Sequence, residues 1–128
     1  MAAVLSVTNL EQFQVGINML QTVKRSLHLL HEPGHFIYVL KTWRAPFSGV
    51  SIIANWEMIG HRDISGSPHW YDILITMGQY TGMKFHLPSL NVALLYKPRN
   101  IITIAEKVLP HSVDPVESGD RVCFAWFL

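Results

Sequence analysis

Trp70-Tyr71-Asp72-Ile73-Leu74-Ile75-Thr76, Met83-Lys84-Phe85-His86-Leu87 and Asn91-Val92-Ala93-Leu94-Leu95 are three short runs rich in β-branched, aromatic and leucine residues, the first two separated by Tyr80-Thr81-Gly82. Apolar runs of this length, bounded by turn residues, read as strands. Their spacing of roughly ten residues points to an all-β barrel or sandwich. Working outward, the same pattern places strands near 35–41, 48–56, 61–64, 100–106 and 121–127. Turns fall at Ala45-Pro46, Ser65 to Pro68, Lys97-Pro98-Arg99-Asn100 and Asp114 to Gly119. Upstream the period changes. Leu10, Phe13, Ile17, Leu20, Val23, Leu27 and Leu30 recur at three- and four-residue steps, the mark of an amphipathic helix from Thr8 to about His31. Thr8 and Glu11 match a capping box, and Glu32-Pro33-Gly34 supplies a stop. The expected organisation is one domain over 1–128. It has a helical segment at 1–34, its single amphipathic helix packed on a sheet, and a β core at 35–128.

Composition narrows the function classes. Hydrophobic residues make up 49% of the 128 and charged residues 15%, which excludes a disordered chain. A net charge of +1 excludes nucleic-acid binding by charge alone. The single cysteine, Cys123, excludes a disulfide scaffold. The N-terminus does not resemble a secretory signal, and no run approaches the ~20 apolar residues of a membrane span. The expectation is an intracellular protein, cytoplasmic or nuclear, with no membrane partner. Histidine is over-supplied for so weakly charged a chain, with seven residues.

Two histidines sit in suggestive positions. Gly60-His61-Arg62-Asp63 contains His-x-Asp, and on a strand residues two apart face the same side. His111, in Leu109-Pro110-His111-Ser112, lies at the end of a predicted strand fifty residues later. Two histidines and a carboxylate are the facial triad of non-haem Fe(II) oxygenases, which leaves positions open on the metal. Arg121 opens the last predicted strand. A guanidinium there takes the distal carboxylate of 2-oxoglutarate in a bidentate grip. Each residue also has a plainer reading. His61 is then a hydrogen-bonded strand residue, His111 a loop histidine after Pro110, and Arg121 an edge-strand charge that blunts aggregation. Asn55 lies six residues before His61 and reads either as a hydrogen-bond partner of 2-oxoglutarate or as a turn-end asparagine. Trp70, Tyr71 and Asp72 read as a surface that stacks on and hydrogen-bonds a base, or as packing. Ile52, Ile73, Ile75, Phe124 and Trp126 read either as lining of the barrel interior around the metal or as ordinary core. His28, His31, His35, His69 and His86 show no partner pattern.

From Pro46 to Phe127 the sequence resembles the TET/JBP type of Fe(II)/2-oxoglutarate dioxygenase, most closely the short fungal members. The matching stretches are Pro46 to Asn55, His61-Arg62-Asp63, Trp70 to Leu74, Gly78-Gln79-Tyr80-Thr81-Gly82, Leu87-Pro88, Leu109 to Val113 and Gly119 to Cys123. The resemblance implies a double-stranded β-helix, a jelly-roll or cupin-like fold. It puts His61, Asp63 and His111 on the iron-ligand positions and Arg121 on the 2-oxoglutarate position. It implies Fe(II), 2-oxoglutarate and O₂ as cofactor and co-substrates, and hydroxylation of a C–H bond, with a methylated nucleobase as substrate and nucleic acid as partner. Met83 and Lys84 depart from the small residue that usually follows the Tyr-Thr-Gly turn. Two other functions share these residues: a dioxygenase acting on a small molecule or protein side chain, and a non-catalytic binding module on the same fold.

Overall fold

The computed structural model describes residues 1–43, 45–65 and 67–128. Two compact units emerge, Met1–Ser48 with Leu128, and Gly49–Phe127.

The first unit is helical, but it is not one helix. It contains α1 (Ala2–Thr8), α2 (Leu10–Arg25), a short 3₁₀ turn (Leu27–Leu29) and α3 (Pro33–Thr42). The expected capping box slips by one residue. Asn9 caps α2, its Oδ1 accepting from Gln12 N at 3.0 Å, while Thr8 Oγ1 turns back to donate to Val4 O. The predicted strand at 35–41 is helix α3. Pro33, read as a stop, instead occupies the first turn, where its missing N–H costs nothing. A short, uniformly apolar run such as His35 to Lys41 carries no period that separates helix from strand. The helical part therefore extends through Thr42, beyond the 1–34 segment. Within this unit Gly16 lies against Pro46, where a Cβ would sit 2.2 Å from the Pro46 carbonyl oxygen.

Among its described residues the second unit holds eight strands: β1 (Gly49–Ala54), β2 (Met58–His61), β3 (Asp72–Thr81), β4 (Lys84–Leu87), β5 (Val92–Leu95), β6 (Ile101–Ile104), β7 (His111–Val113) and β8 (Ser118–Phe127). They form two four-stranded sheets, ordered β1-β8-β3-β6 and β2-β7-β4-β5. Strand β4 pairs with β5, β3 with β6, β2 with β7 and β1 with β8, every pair antiparallel. This unit is thus one long hairpin, folded at Pro88–Leu90, whose two arms wind through both sheets. This is the double-stranded β-helix. His111, read as the end of a strand, instead opens β7, which the runs of strand-forming residues did not place. The predicted turn from Ser65 to Pro68 includes Gly66, which lies outside the described residues.

The interior holds Leu74, Tyr80, Met83, Phe85, Leu87, Tyr96, Ile104, Val113 and Cys123. As lining of that interior the five residues expected from sequence are one residue out of phase; as core residues Ile73 is fully buried, Ile75, Phe124 and Trp126 are half-buried and Ile52 is exposed. Ile75 pairs with Phe124, which pairs with Ile52, and Ile73 pairs with Trp126. These five share the opposite face of the sheet from Leu74, Thr76 and Cys123. With both faces of β1, β3 and β8 rich in apolar residues, alternation does not say which face is inside.

Candidate metal centre

Strands β2 and β7 bring the two histidines together, because His61 and His111 are register partners. Their ring centroids are 4.4 Å apart. Both rings are oriented in the same way. His61 Nδ1–H donates to Ile59 O at 2.9 Å, and His111 Nδ1–H donates to Leu109 O at 3.1 Å. A carbonyl only accepts, so the proton of the neutral ring sits on Nδ1 and the lone pair on Nε2. That tautomer, fixed by a backbone carbonyl, is the one that ligates a metal through Nε2.

Both Nε2 atoms face carboxylates. His61 Nε2 lies 3.4 Å from Asp63 Oδ1, and the buried His111 Nε2 lies 3.6 Å from Glu106 Oε1. His61 is the last residue of β2 and Asp63 follows it outside the strand, so the pair is not formed by strand alternation as expected; the Asp63 backbone is held instead by Glu106, whose carbonyl accepts from Asp63 N at 3.2 Å. Asp63 also meets Asp72 and Glu106, with one oxygen from each within 4.8 Å of the others. Burial pushes the Glu106 carboxyl from 4.5 up to about 9, helped by the nearby Asp72 and Asp63. Burial likewise raises Asp72 from 3.8 to about 6, and the charge on Asp63 adds to it. His111 is lowered from its usual value, chiefly by burial. Lone pairs and carboxylates therefore converge on one small region. Acceptors facing acceptors need a cation or shared protons between them. Imidazole with carboxylate is a donor set for Fe(II) and similar ions. The residues present fit such a metal.

Arg121 lies in β8, between β1 and β3, so it is not an edge-strand charge. It is 2% exposed. Its Nε donates to Thr76 Oγ1 at 3.2 Å and its Nη1 to Trp56 O at 3.5 Å, and its guanidinium lies over the Tyr96 ring, 5.1 Å from the centroid. Among the described residues no carboxylate forms an ion pair with it. Burying a charge with only neutral partners is costly, so such a guanidinium is poised for an anionic ligand. Asn55, in the left-handed region with φ 52°, accepts from Arg121 N through Oδ1 at 2.6 Å and donates through Nδ2 to Asp120 Oδ1 at 2.8 Å. Its side chain thus clamps the Arg121 backbone. Opposite Arg121 in β3 stands Gly78, at φ 120°, where a Cβ would meet Asp120 O at 2.0 Å. No side chain fits there, and only glycine adopts that backbone freely.

Two aromatic rings connect the histidines to Arg121. Phe85 stacks on His111 at 5.6 Å and 5°, and meets Tyr96 edge to face at 5.6 Å. His61, His111, Phe85, Tyr96 and Arg121 are consecutive neighbours in the interior. Asp72 joins the carboxylates, while Trp70 and Tyr71, both half-buried, precede it on the chain. Two histidines that showed no partner pattern in sequence have partners: His86 pairs with Asp114 at 2.7 Å and His35 with Glu32 at 3.1 Å. Glu106, Thr76, Phe85 and Tyr96 are site residues that the sequence reading missed. A lone Glu five residues before His111 was the available signal for the first.

A double-stranded β-helix carrying two Nε2 donors, a carboxylate cluster and a buried guanidinium defines the oxygenase-domain class. The family model for the oxygenase domain of the 2OGFeDO superfamily, Tet_JBP, matches residues 1–128, and the chain belongs to that family. A solved structure described as NgTET1 in complex with 5mC DNA superposes with a TM-score of 0.60 at 14% identity, covering 96% of this chain and 53% of that one. The chain thus spans about half the length of that neighbour, and the likeness is one of fold. No curated protein matches the chain.

Proposed function

We propose that the chain is an Fe(II)- and 2-oxoglutarate-dependent dioxygenase that hydroxylates a C–H bond, with a methylated nucleobase as substrate. The observation that carries this reading is Arg121, a buried cation without a counter-charge among the described residues, joined through Tyr96 and Phe85 to a pair of histidines whose lone pairs face carboxylates. His61, Asp63 and His111 would hold the metal, and Arg121 the distal carboxylate of 2-oxoglutarate. When bound, iron and 2-oxoglutarate supply the oxidation, in which O₂ and 2-oxoglutarate yield succinate, CO₂ and one hydroxyl on the substrate.

The chain's own residues supply position and shielding. The Ile59 and Leu109 carbonyls set the two imidazoles so that Nε2 is presented. Thr76, held by Tyr80 OH at 2.8 Å, fixes the guanidinium from one side and the Tyr96 ring supports it from below. The apolar interior of Leu74, Met83 and Phe85 keeps water from the reacting groups. The family and the DNA bound to the structural neighbour support a nucleobase substrate.

Succinate release from 2-oxoglutarate with Fe(II) tests the reading. It is expected from the wild-type chain and not from His61→Ala or Asp63→Ala. Absence of succinate from the wild type, or undiminished release from both variants, overturns it.

A further inference from the structure

The turn between β6 and β7 grips two of the residues assigned to the metal. It is closed on itself, because Ala105 O accepts from Val108 N and from Leu109 N, each at 3.0 Å. At one end the Glu106 carbonyl accepts from Asp63 N at 3.2 Å. At the other the Leu109 carbonyl accepts from His111 Nδ1 at 3.1 Å. The Glu106 side chain works in the same direction as its backbone. It is 6% exposed, its Oε1 lies 3.6 Å from His111 Nε2, and it hydrogen-bonds the carboxyl groups of Asp63 and Asp72. Asp63 needs such a partner. Its side chain is 47% exposed and it follows β2 outside the strand, so neither packing nor a strand ladder orients its carboxylate. Groups that hydrogen-bond a metal ligand fix its orientation and so raise metal affinity.

We infer that Glu106 is a positioning residue, which holds the Asp63 carboxylate and the His111 ring in ligating geometry and stays off the metal itself. This rests on the assignment of the metal to His61, Asp63 and His111 above. The count of open positions separates positioning from direct ligation. An octahedral ion held by two imidazoles and one carboxylate keeps three positions open, two for a chelating 2-oxo acid and one for O₂. A fourth protein ligand would take one of these. The Glu106 carbonyl grips Asp63 whatever the side chain, so substitution at 106 reads the share of the carboxyl alone.

The test is Mn(II) binding to the full chain by calorimetry, together with the visible absorption of bound Co(II), which reports the ligand set. Glu106→Gln keeps the shape and offers amide hydrogens to Asp63, so it should bind Mn(II) within about threefold of wild type, with the Co(II) spectrum unchanged. Glu106→Met keeps the length without a donor and should lose about 10- to 100-fold in affinity, the usual effect of removing a group that orients a metal ligand. Melting of the metal-free variants reads folding separately, and Glu106→Leu repeats the comparison where Glu106→Met does not fold. Wild-type affinity in Glu106→Met, a loss in Glu106→Gln as large as that in Glu106→Met, or an altered Co(II) spectrum in Glu106→Gln each overturns the inference. It then falls alone if the wild type binds Mn(II) and His61→Ala does not. A wild type that binds no Mn(II), or binding undiminished in His61→Ala, overturns the metal assignment itself.

Discussion

Replacing Arg121 with methionine should separate stability from ligand binding. Arg121 is 2% exposed, and its guanidinium donates to neutral groups, Thr76 Oγ1 and Trp56 O, with no carboxylate paired to it among the described residues. Desolvating such a charge costs several kcal/mol, and well-packed apolar replacements of buried ionic groups are neutral or stabilising by ~1–4 kcal/mol. Loss of the contact with the Tyr96 ring subtracts ~0.5–2 kcal/mol. Thr76 Oγ1 keeps its bond to Tyr80 OH, so no buried polar atom is orphaned. The metal-free variant should therefore melt at or above the wild-type temperature. With about 2.1 cal/mol/K of unfolding entropy per residue, a chain of 128 residues shifts by about 4 °C per kcal/mol. In the wild type already saturated with Mn(II), N-oxalylglycine at a hundredfold excess over Kd should add a further ~2.7 kcal/mol, about 10 °C. In Arg121→Met that increment should vanish. Differential scanning fluorimetry with metal alone and with metal plus analogue reads both effects. A variant that melts well below wild type yet keeps the analogue-dependent shift would refute the assignment of Arg121 to the co-substrate.

Three further outcomes follow from the geometry. His61→Ala and Asp63→Ala should each weaken Mn(II) binding by tenfold or more, measured by calorimetry, because each removes a ligand from the cluster. In the metal-free chain, stability should fall as pH rises from about 4.5 towards 9: the folded state holds the Glu106 proton up to about 9, whereas the unfolded chain releases it near 4.5. Asp72 acts in the same sense up to about 6, and His111, lowered from 6.5, in the opposite sense below that value. Denaturant titrations at pH 5 and 8 in chelator should show the loss, and Glu106→Gln should flatten it. Gly78→Ala should destabilise by more than 1 kcal/mol and impair co-substrate binding, since it forces a Cβ against Asp120 beside Arg121 at a positive φ; paired melting and calorimetry check both.

The strands around the hairpin fold were legible because turn residues bound them on both sides. Lys84–Leu87, Val92–Leu95 and Ile101–Ile104 stand close to where the runs of β-branched and aromatic residues placed them, whereas Asp72–Thr81 runs five residues past the expected end at 76 and takes in Tyr80 and Thr81, read as a turn. The run from His35 to Lys41 was not legible, since Ile37, Tyr38 and Val39 suit a strand and only the opening Pro33 favours a helix. The interior face was not legible either. Ile73 and Leu74 look alike as residues, and the tertiary fold alone decides that Leu74 faces the site. Of the site, His61, Asp63, His111 and Arg121 were marked by type and order, although their meeting depends on the pairing of β2 with β7, and β7 is only three residues long. Glu106 carried no mark that separates it from an exposed carboxylate. Its role comes from burial beside His111, which no local pattern encodes. Asn55 was visible as a turn residue, but its two bonds to strand β8 span more than sixty residues of sequence.

The most direct test is a crystal structure of the chain with Mn(II) and N-oxalylglycine, with the metal located by anomalous scattering. The metal should lie between His61 Nε2, His111 Nε2 and the Asp63 carboxylate, and the distal carboxylate of the analogue should pair with the Arg121 guanidinium. A metal held by Asp63, Asp72 and Glu106 without either histidine, or an analogue bound away from Arg121, would contradict the account.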